Sequence, residues 1–236
     1  KLFLFLLGTM QQQHHSNTYR LLYIPIVFLF LLSFTDCAKK GRPSGGLRDT
    51  IAPVILRSAP ENFTTNFKNN EIRITFDEFI KLKDISKELI ISPPLKYAPI
   101  ITPLSVSKVL KIKILDTLKN NTTYSFNFGN SIQDNNEGNL FPNYKYVFST
   151  GSYIDSLTLK GTAIDALLPV TDFPTTVALY QVDQSYKDSL VFLEKPTYIT
   201  TTINETNNFE LSNLKQGTYQ LIALKEQTRN YTFQPK

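Results

Sequence analysis

Val109-Leu110-Lys111-Ile112-Lys113-Ile114-Leu115 alternates apolar and charged residues along its central part. Successive side chains of a strand point to opposite faces, so this period of two marks a half-buried strand with one wet face. The same alternation recurs in Ile72-Arg73-Ile74-Thr75-Phe76, in Thr123-Tyr124-Ser125-Phe126-Asn127-Phe128 and in Tyr144-Lys145-Tyr146-Val147-Phe148. Turn-forming clusters separate these runs: Asn62 to Asn70, Ser92-Pro93-Pro94, Lys119-Asn120-Asn121 and Asp134 to Asn143. Long amphipathic helical patterns are missing. Short alternating strands with turn signals at this spacing predict an antiparallel β-sandwich.

Upstream the chain changes character. Leu21 to Phe34 (LLYIPIVFLFLLSF) holds no charge and ends three residues before Cys37, the sole cysteine. The run is too short to cross a hydrocarbon core of roughly 30 Å comfortably as a helix, and it suits the apolar core of a secretory signal. Met10, the sole methionine, lies 27 residues before Cys37, a normal leader length, so the natural start is expected there. The segment resembles the signal of bacterial lipoproteins, in which the cysteine becomes the acylated first residue. It departs from that pattern at Phe34, where the family usually has Leu, and at Asp36, where it usually has Gly, Ala or Ser. The resemblance implies lipidation at Cys37, attachment to a membrane through the N-terminal lipid, and a place in the bacterial cell envelope, at the outer membrane. The other readings are an uncleaved signal anchor and an unpaired core cysteine. Lys39, Lys40 and Arg42 on the far side of the run, against Arg20 on the near side, oppose the anchor. Lys39 to Asp49 (KKGRPSGGLRD) is basic and rich in Gly, Pro and Ser, which predicts a flexible tether.

Composition narrows the chemistry. Both histidines, His14 and His15, lie in the leader. A mature chain starting at Cys37 therefore lacks histidine, and acylation would remove its one thiol. Ser-His-Asp and Cys-His catalysis and His/Cys zinc sites are excluded. What remains is carboxylate chemistry, or none, and the expectation is a chain that is not an enzyme and needs no cofactor. The net charge of +5 for the whole chain is mild, and no basic helix or aromatic-basic stripe is visible, so nucleic acid is not expected as a partner.

Five motifs in order carry a resemblance across residues 50–151. They are Ala52-Pro53-Val54-Ile55 with Ser58-Ala59-Pro60-Glu61-Asn62, then Ile74-Thr75-Phe76-Asp77-Glu78, Leu118 to Tyr124, Ile132 to Asn139, and Phe148-Ser149-Thr150-Gly151. Together they resemble bacterial Ig-like domains of the Big_5 or SbsA-like type, found in envelope proteins. A second unit, 154–236, carries Ser156-Leu157-Thr158-Leu159-Lys160-Gly161-Thr162-Ala163, Val177-Ala178-Leu179-Tyr180 and Phe209 to Tyr219, with Gly217 expected to supply the turn. This order resembles the prealbumin-like or carboxypeptidase-regulatory-like β-sandwich. The expected architecture is all-β: a signal segment at 1–36, a lipidated tether at 37–49, an Ig-like sandwich at 50–151 and a prealbumin-like sandwich at 154–236. No closing strand is evident before Lys236, so the second sandwich is expected to be C-terminally truncated.

Several clusters invite a functional reading. Asp134-Asn135-Asn136-Glu137-Gly138-Asn139 is dense in oxygen ligands, which makes Asp134, Asn136 and Glu137 calcium candidates, but the spacing is not that of an EF-hand and an ordinary hairpin turn explains it as well. Asp77 and Glu78 point to opposite faces of one strand and cannot share a proton; pairing with Asp84 or Glu88 would need tertiary proximity. Tyr144, Tyr146 and Phe148 share a strand face, as core or as a sugar-stacking row. Asn-X-Thr triplets start at Asn62, Asn120, Asn121, Asn204 and Asn230. Asp49-Thr50-Ile51, Asp116-Thr117-Leu118, Asp155-Ser156-Leu157 and Asp188-Ser189-Leu190 resemble acceptor sites of bacterial periplasmic O-glycosylation. The expected role is non-catalytic: scaffolding, adhesion or interaction with envelope proteins or glycans. The alternatives are a carbohydrate-binding accessory protein, and the N-terminal part of a longer protein with a downstream functional domain.

Overall fold

The computed structural model describes residues 46–165, 174–203 and 206–225. The expected signal segment, Cys37 and most of the expected tether lie outside the described residues. The first half of the described chain runs β1 (Ile55–Ala59), β2 (Glu71–Leu82), α1 (Ile85–Glu88), β3 (Ile90–Ser92), β4 (Ile100–Thr102), β5 (Ser107–Lys113), β6 (Thr123–Asn127), β7 (Ile132–Asp134) and β8 (Lys145–Ser149). One sheet has the order β1-β2-β5-β4, with β7 joined to the far end of β2; the other has the order β3-β6-β8, and all these pairs are antiparallel.

Alternation does in β2 and β5 what the sequence predicts. Ile72, Ile74, Phe76 and Ile80 are fully buried, as are Leu110 and Ile112, while Arg73, Asp77, Lys111 and Lys113 are exposed. Register places Ile72, Ile112 and Ile101 in one inward row. From the facing sheet Tyr124, Phe126, Tyr146 and Phe148 complete the core. Fully burying such a side chain contributes about 1.5–3 kcal/mol each, so these aromatics dominate the sandwich. The pairing register of β2 and β5 jumps between Thr75 and Ile80, a bulge that turns Phe79 outward and frees the end of β2 to pair with β7.

Two expectations need correction. Asn62 to Asn70 is more than a turn. Phe63 to Phe67 runs parallel along β8, through the bonds Phe63 N to Val147 O (2.7 Å), Ser149 N to Thr64 O (2.9 Å) and Phe67 N to Ser149 O (2.9 Å). It delivers Phe67 into the core, stacked on Phe148 at 4.0 Å. The chain thus leaves one sheet after β1 and lines the edge of the other. Second, β6 and β8 are buried on both faces: Thr123, Ser125, Val147 and Ser149 are covered as well as the aromatic positions. Their polar side is enclosed by the second half of the chain.

That half comprises β9 (Leu157–Thr162), β10 (Thr176–Gln181), α2 (Leu190–Leu193), β11 (Tyr198–Thr201), β12 (Asn208–Leu214) and β13 (Tyr219–Leu224). It forms the antiparallel sheets β11-β10-β13 and β12-β9 around Val177, Leu179, Tyr198, Phe209, Leu211 and Leu214. Gly217 lies in the turn between β12 and β13, as the sequence predicts, while the left-handed backbone of this stretch is at Asn213 (φ 61°), where the register between β12 and β9 slips. Asn tolerates this conformation better than most residues because its short amide can bond locally; here it donates to the carbonyl of Asp155 at 3.0 Å. Residues 48–236 fall into one compact unit. Ile90 packs with Ala178, Tyr180 and Ile199; Ile199 N donates to Ser92 Oγ at 3.1 Å, and Lys195 Nζ to the Leu95 carbonyl at 2.7 Å.

Gly161 stands directly opposite Phe209, and the ring lies over it. A Cβ at Gly161 would come within 2.8 Å of Phe209 Cζ. Gly161→Ala is therefore expected to push the ring out of its core position and to cost about 1–3 kcal/mol, read as a lower urea midpoint at unchanged slope.

Candidate functional site

The oxygen-rich loop is built around one side chain. Asp134 ends β7 and is fully buried. Its Oδ1 accepts the amides of Glu137 (2.7 Å) and Gly138 (3.1 Å), and its Oδ2 accepts that of Asn139 (2.7 Å). Its own amide donates to the Asn139 carbonyl at 3.0 Å, and Gly138 takes the left-handed turn conformation (φ 81°). Burial by itself pushes the Asp134 carboxyl up; the amides of residues 136–139 outweigh it and hold the group below its ordinary 3.8. Both oxygens of the first calcium candidate thus face backbone N–H groups. Asn136 accepts a bond from Asn135 Nδ2 at 3.3 Å. Among the described residues no group of three or more His, Cys, Asp or Glu side chains could hold a metal ion.

The loop instead holds the arriving chain. Asn139 Nδ2 donates to the carbonyls of Asp49 (3.1 Å) and Ile51 (3.0 Å), and Arg48 donates to the Glu137 carbonyl at 3.3 Å. Val54 N donates to Asp77 Oδ1 at 2.8 Å, and Asp77 N returns a bond to the Val54 carbonyl at 3.0 Å. Residues 48–54 therefore form a strap, pinned to the loop at one end and to β2 at the other. Asp49 of the strap joins Asp77, Asp134 and Glu137 around Glu78, whose carboxyl is pushed above its ordinary 4.5 first by burial and then by those four charges. Asp84 and Glu88 are not among its perturbing neighbours. Glu88 Oε2 accepts the Asn130 amide at 3.0 Å, and the Asp84 carbonyl accepts the Lys87 and Glu88 amides at the start of α1.

The two shifts work in opposite directions on acidification. A raised carboxyl gains stability as pH falls through its folded value; a lowered one keeps its contribution above its unfolded value and loses it as pH falls through the folded one. Stability is expected to rise slightly as pH falls from neutrality toward 4.5, because the raised Glu78 carboxyl takes up its proton before the unfolded chain does, and to drop below 3.8, as Asp134 is protonated. Thermal melts across this range check it: Glu78→Gln should abolish the rise, and Asp134→Asn should flatten the drop.

The aromatic row is core. Tyr146 and Phe148 are fully buried, and Tyr124 stacks on Phe148 at 5.5 Å. Tyr146 OH donates to the Pro60 carbonyl at 2.9 Å. Burial pushes Tyr144 up to about 12 and Tyr146 further still. A sugar-stacking platform needs exposed faces, which Tyr146 and Phe148 lack. In the glycosylation triplets Thr50, Thr117, Ser156 and Ser189 are exposed. Asn62 is engaged: its Oδ1 accepts Val147 N at 2.7 Å and its Nδ2 donates to the Lys145 carbonyl at 3.0 Å, so its side chain substitutes for strand pairing along β8.

Sequence reasoning missed two polar groups that join the halves of the chain. Asp155, buried in the connection to β9, accepts Thr123 Oγ1 at 2.8 Å, and its amide donates to the same oxygen at 2.9 Å. Lys145 lies within 3.4 Å of Ser212 Oγ. Ser92, Ser125, Asn127, Lys145, Glu210 and Ser212 contribute to the lining of a crevice there of about 20 Å³. That is room for about one water, not for an organic ligand. Single polar residues in a strand give no local signal of such roles.

Residues 49–150 match the model of the family described as bacterial Ig-like domain. No curated protein and no solved structure matches the chain. The matched range covers the strap from Asp49 on, all of β1–β8 and the core between the two sheets. Such domains are typically non-catalytic and occur in bacterial surface and envelope proteins. Among the described residues no helix is long and apolar enough to cross a membrane.

Proposed function

We propose that this chain is a cell-envelope lipoprotein, acylated at Cys37 and held at the outer membrane, whose Ig-like sandwich and following β-module act as a non-catalytic structural or interaction unit. The tether would be residues 37–49, its last two held in the strap, the Ig-like sandwich 50–151, and the following module, 154–236, a prealbumin-like sandwich. One observation carries the non-catalytic reading: the well-placed carboxylates serve architecture. Asp134 organises a loop, Asp77 pins the strap, Asp155 joins the two halves, Glu88 caps the Asn130 amide and Glu210 pairs with Lys160 at 3.0 Å. In a mature chain without histidine, carboxylates are the groups that would have to perform acid–base work.

The polar seam between the halves also supports this role. A second module packed on the polar side of β6 and β8 makes one compact unit, which presents its loops together as an interaction surface. Acylation supplies the hold, because two or more chains attach stably where one is marginal. Mass spectrometry of the native protein tests the anchor. The expected N-terminal peptide begins at Cys37 with diacylglycerol on its sulfur; a free thiol behind an intact leader would remove the proposal.

A further inference from the structure

The outer face of the first sheet collects cations with little to offset them. Register sets Arg73 directly opposite Lys111, with Ala59 and Thr102 completing that row. The adjoining rows are Arg57, Thr75 and Val109 on one side, and Glu71, Lys113 and Ile100 on the other. Members of a row share a face. Arg57, Arg73, Lys111 and Lys113 are all exposed. Glu71 is the one carboxylate in these three rows; it accepts a bond from Arg73 Nε at 2.5 Å. Farther along β2, Asp77 gives its carboxylate to the Val54 amide. Among the described residues Arg57, Lys111 and Lys113 make no ion pair.

Like charges directly opposite each other destabilise a sheet. Arg73 and Lys111 form such a pair on the two central strands, and Glu71 offsets only part of it. An external anion would relieve the rest. The layout indicates what kind. The cations spread over three adjacent strands, about 4.8 Å apart across the sheet and about 6.8 Å apart along it. The face is open and carries apolar Ile100 and Val109 beside the charges. A soluble polyanion is a thread and is best gripped along a line or groove. A layer of headgroups is two-dimensional, like this face.

We infer that the outer face of β1-β2-β5-β4 docks on an anionic lipid surface, with Arg57, Arg73, Lys111 and Lys113 reaching the headgroup phosphates. The inference rests on the membrane-side residence proposed above, but not on the lipid at Cys37. It lays the first sandwich against the bilayer and leaves the opposite side of the compact unit free.

The test uses the chain from residue 37 onward with Cys37→Ser, which contains the whole compact unit 48–236. Its partitioning is measured by co-sedimentation with phosphatidylcholine vesicles, with and without phosphatidylglycerol. Binding is expected to the anionic vesicles only and to weaken as salt rises. Arg57→Glu/Lys111→Glu is expected to lower the partition coefficient about tenfold or more. Lys187→Glu/Lys215→Glu makes the same charge change at exposed positions outside this face and should leave it within about twofold. The single Lys111→Glu places a carboxylate opposite Arg73, so its melting temperature should rise by about 1–3 °C while binding falls, separating lost docking from lost folding. Equal binding to neutral and anionic vesicles, or equal loss in both double variants, would overturn the inference. So would binding to soluble polyphosphate that anionic vesicles do not displace, which would assign the face to a polymer. A free Cys37 thiol in the native protein would sink the lipoprotein reading and leave the vesicle result standing.

Discussion

Asp134→Ala is expected to lower unfolding free energy by about 2–4 kcal/mol at neutral pH, seen as a lower urea midpoint. The substitution deletes a carboxylate that accepts three backbone amides within 3.1 Å. Bonds to a charged acceptor are the strong ones, and the amides left behind lose their partners. Residues 135–139 are only partly buried or exposed, so water can reach some of those amides, which caps the loss. The effect should spread to the strap, because Asn139 holds the Asp49 and Ile51 carbonyls only while the loop keeps its shape. Amide hydrogen exchange should therefore accelerate at Ile51, Val54 and Glu137 in the variant and not at Leu110 or Phe126. Unchanged protection at the strap would separate the two features.

Phe148→Ala should cost about 3–5 kcal/mol, the largest effect expected from a single core substitution here. Phe148 is fully buried and packs against Phe67, Tyr124, Phe126 and Tyr146, with ring centroids between 4.0 and 6.2 Å away. Four rings cannot close over the missing one without leaving rotamer minima, so a cavity remains. Phe67→Ala should couple to it, since the two rings stack. A double-mutant cycle is expected to show about 0.5–1.5 kcal/mol of interaction. Additive losses would mean that the segment 63–67 is held by its backbone bonds alone.

The residues in these two predictions differ in how far sequence alone exposes them. Phe148 sits in an alternating strand and reads as core at once. Phe67 lies in a stretch rich in Asn and Thr, with no period of its own; only its bonds to β8 make it part of the sandwich. Asp134 announces itself as a turn residue in a run of Asp, Asn and Gly. That its carboxylate organises the loop, and that the loop holds the strap, depends on Asp49 and Ile51, some 85 residues away in sequence. The seam between the halves was the least legible. Thr123, Ser125 and Ser149 look like solvent-facing positions of half-buried strands, and nothing adjacent in the chain says that Asp155 will bond Thr123 or that β12 will pack on β6.

From sequence alone follow the all-β class, the strands β2, β5, β6 and β8, the inward residues of the first core, and the exclusion of histidine and thiol chemistry from a chain starting at Cys37. These rest on composition and on a side-chain period of two, both local properties. Tertiary structure alone decided the parallel edge at residues 63–67, the strap over the acidic loop, the burial of β6 and β8 on both faces, and the gathering of Arg57, Arg73, Lys111 and Lys113 on one sheet. Each depends on register between segments far apart in the chain, and register is set by which surfaces meet, a choice no single segment encodes.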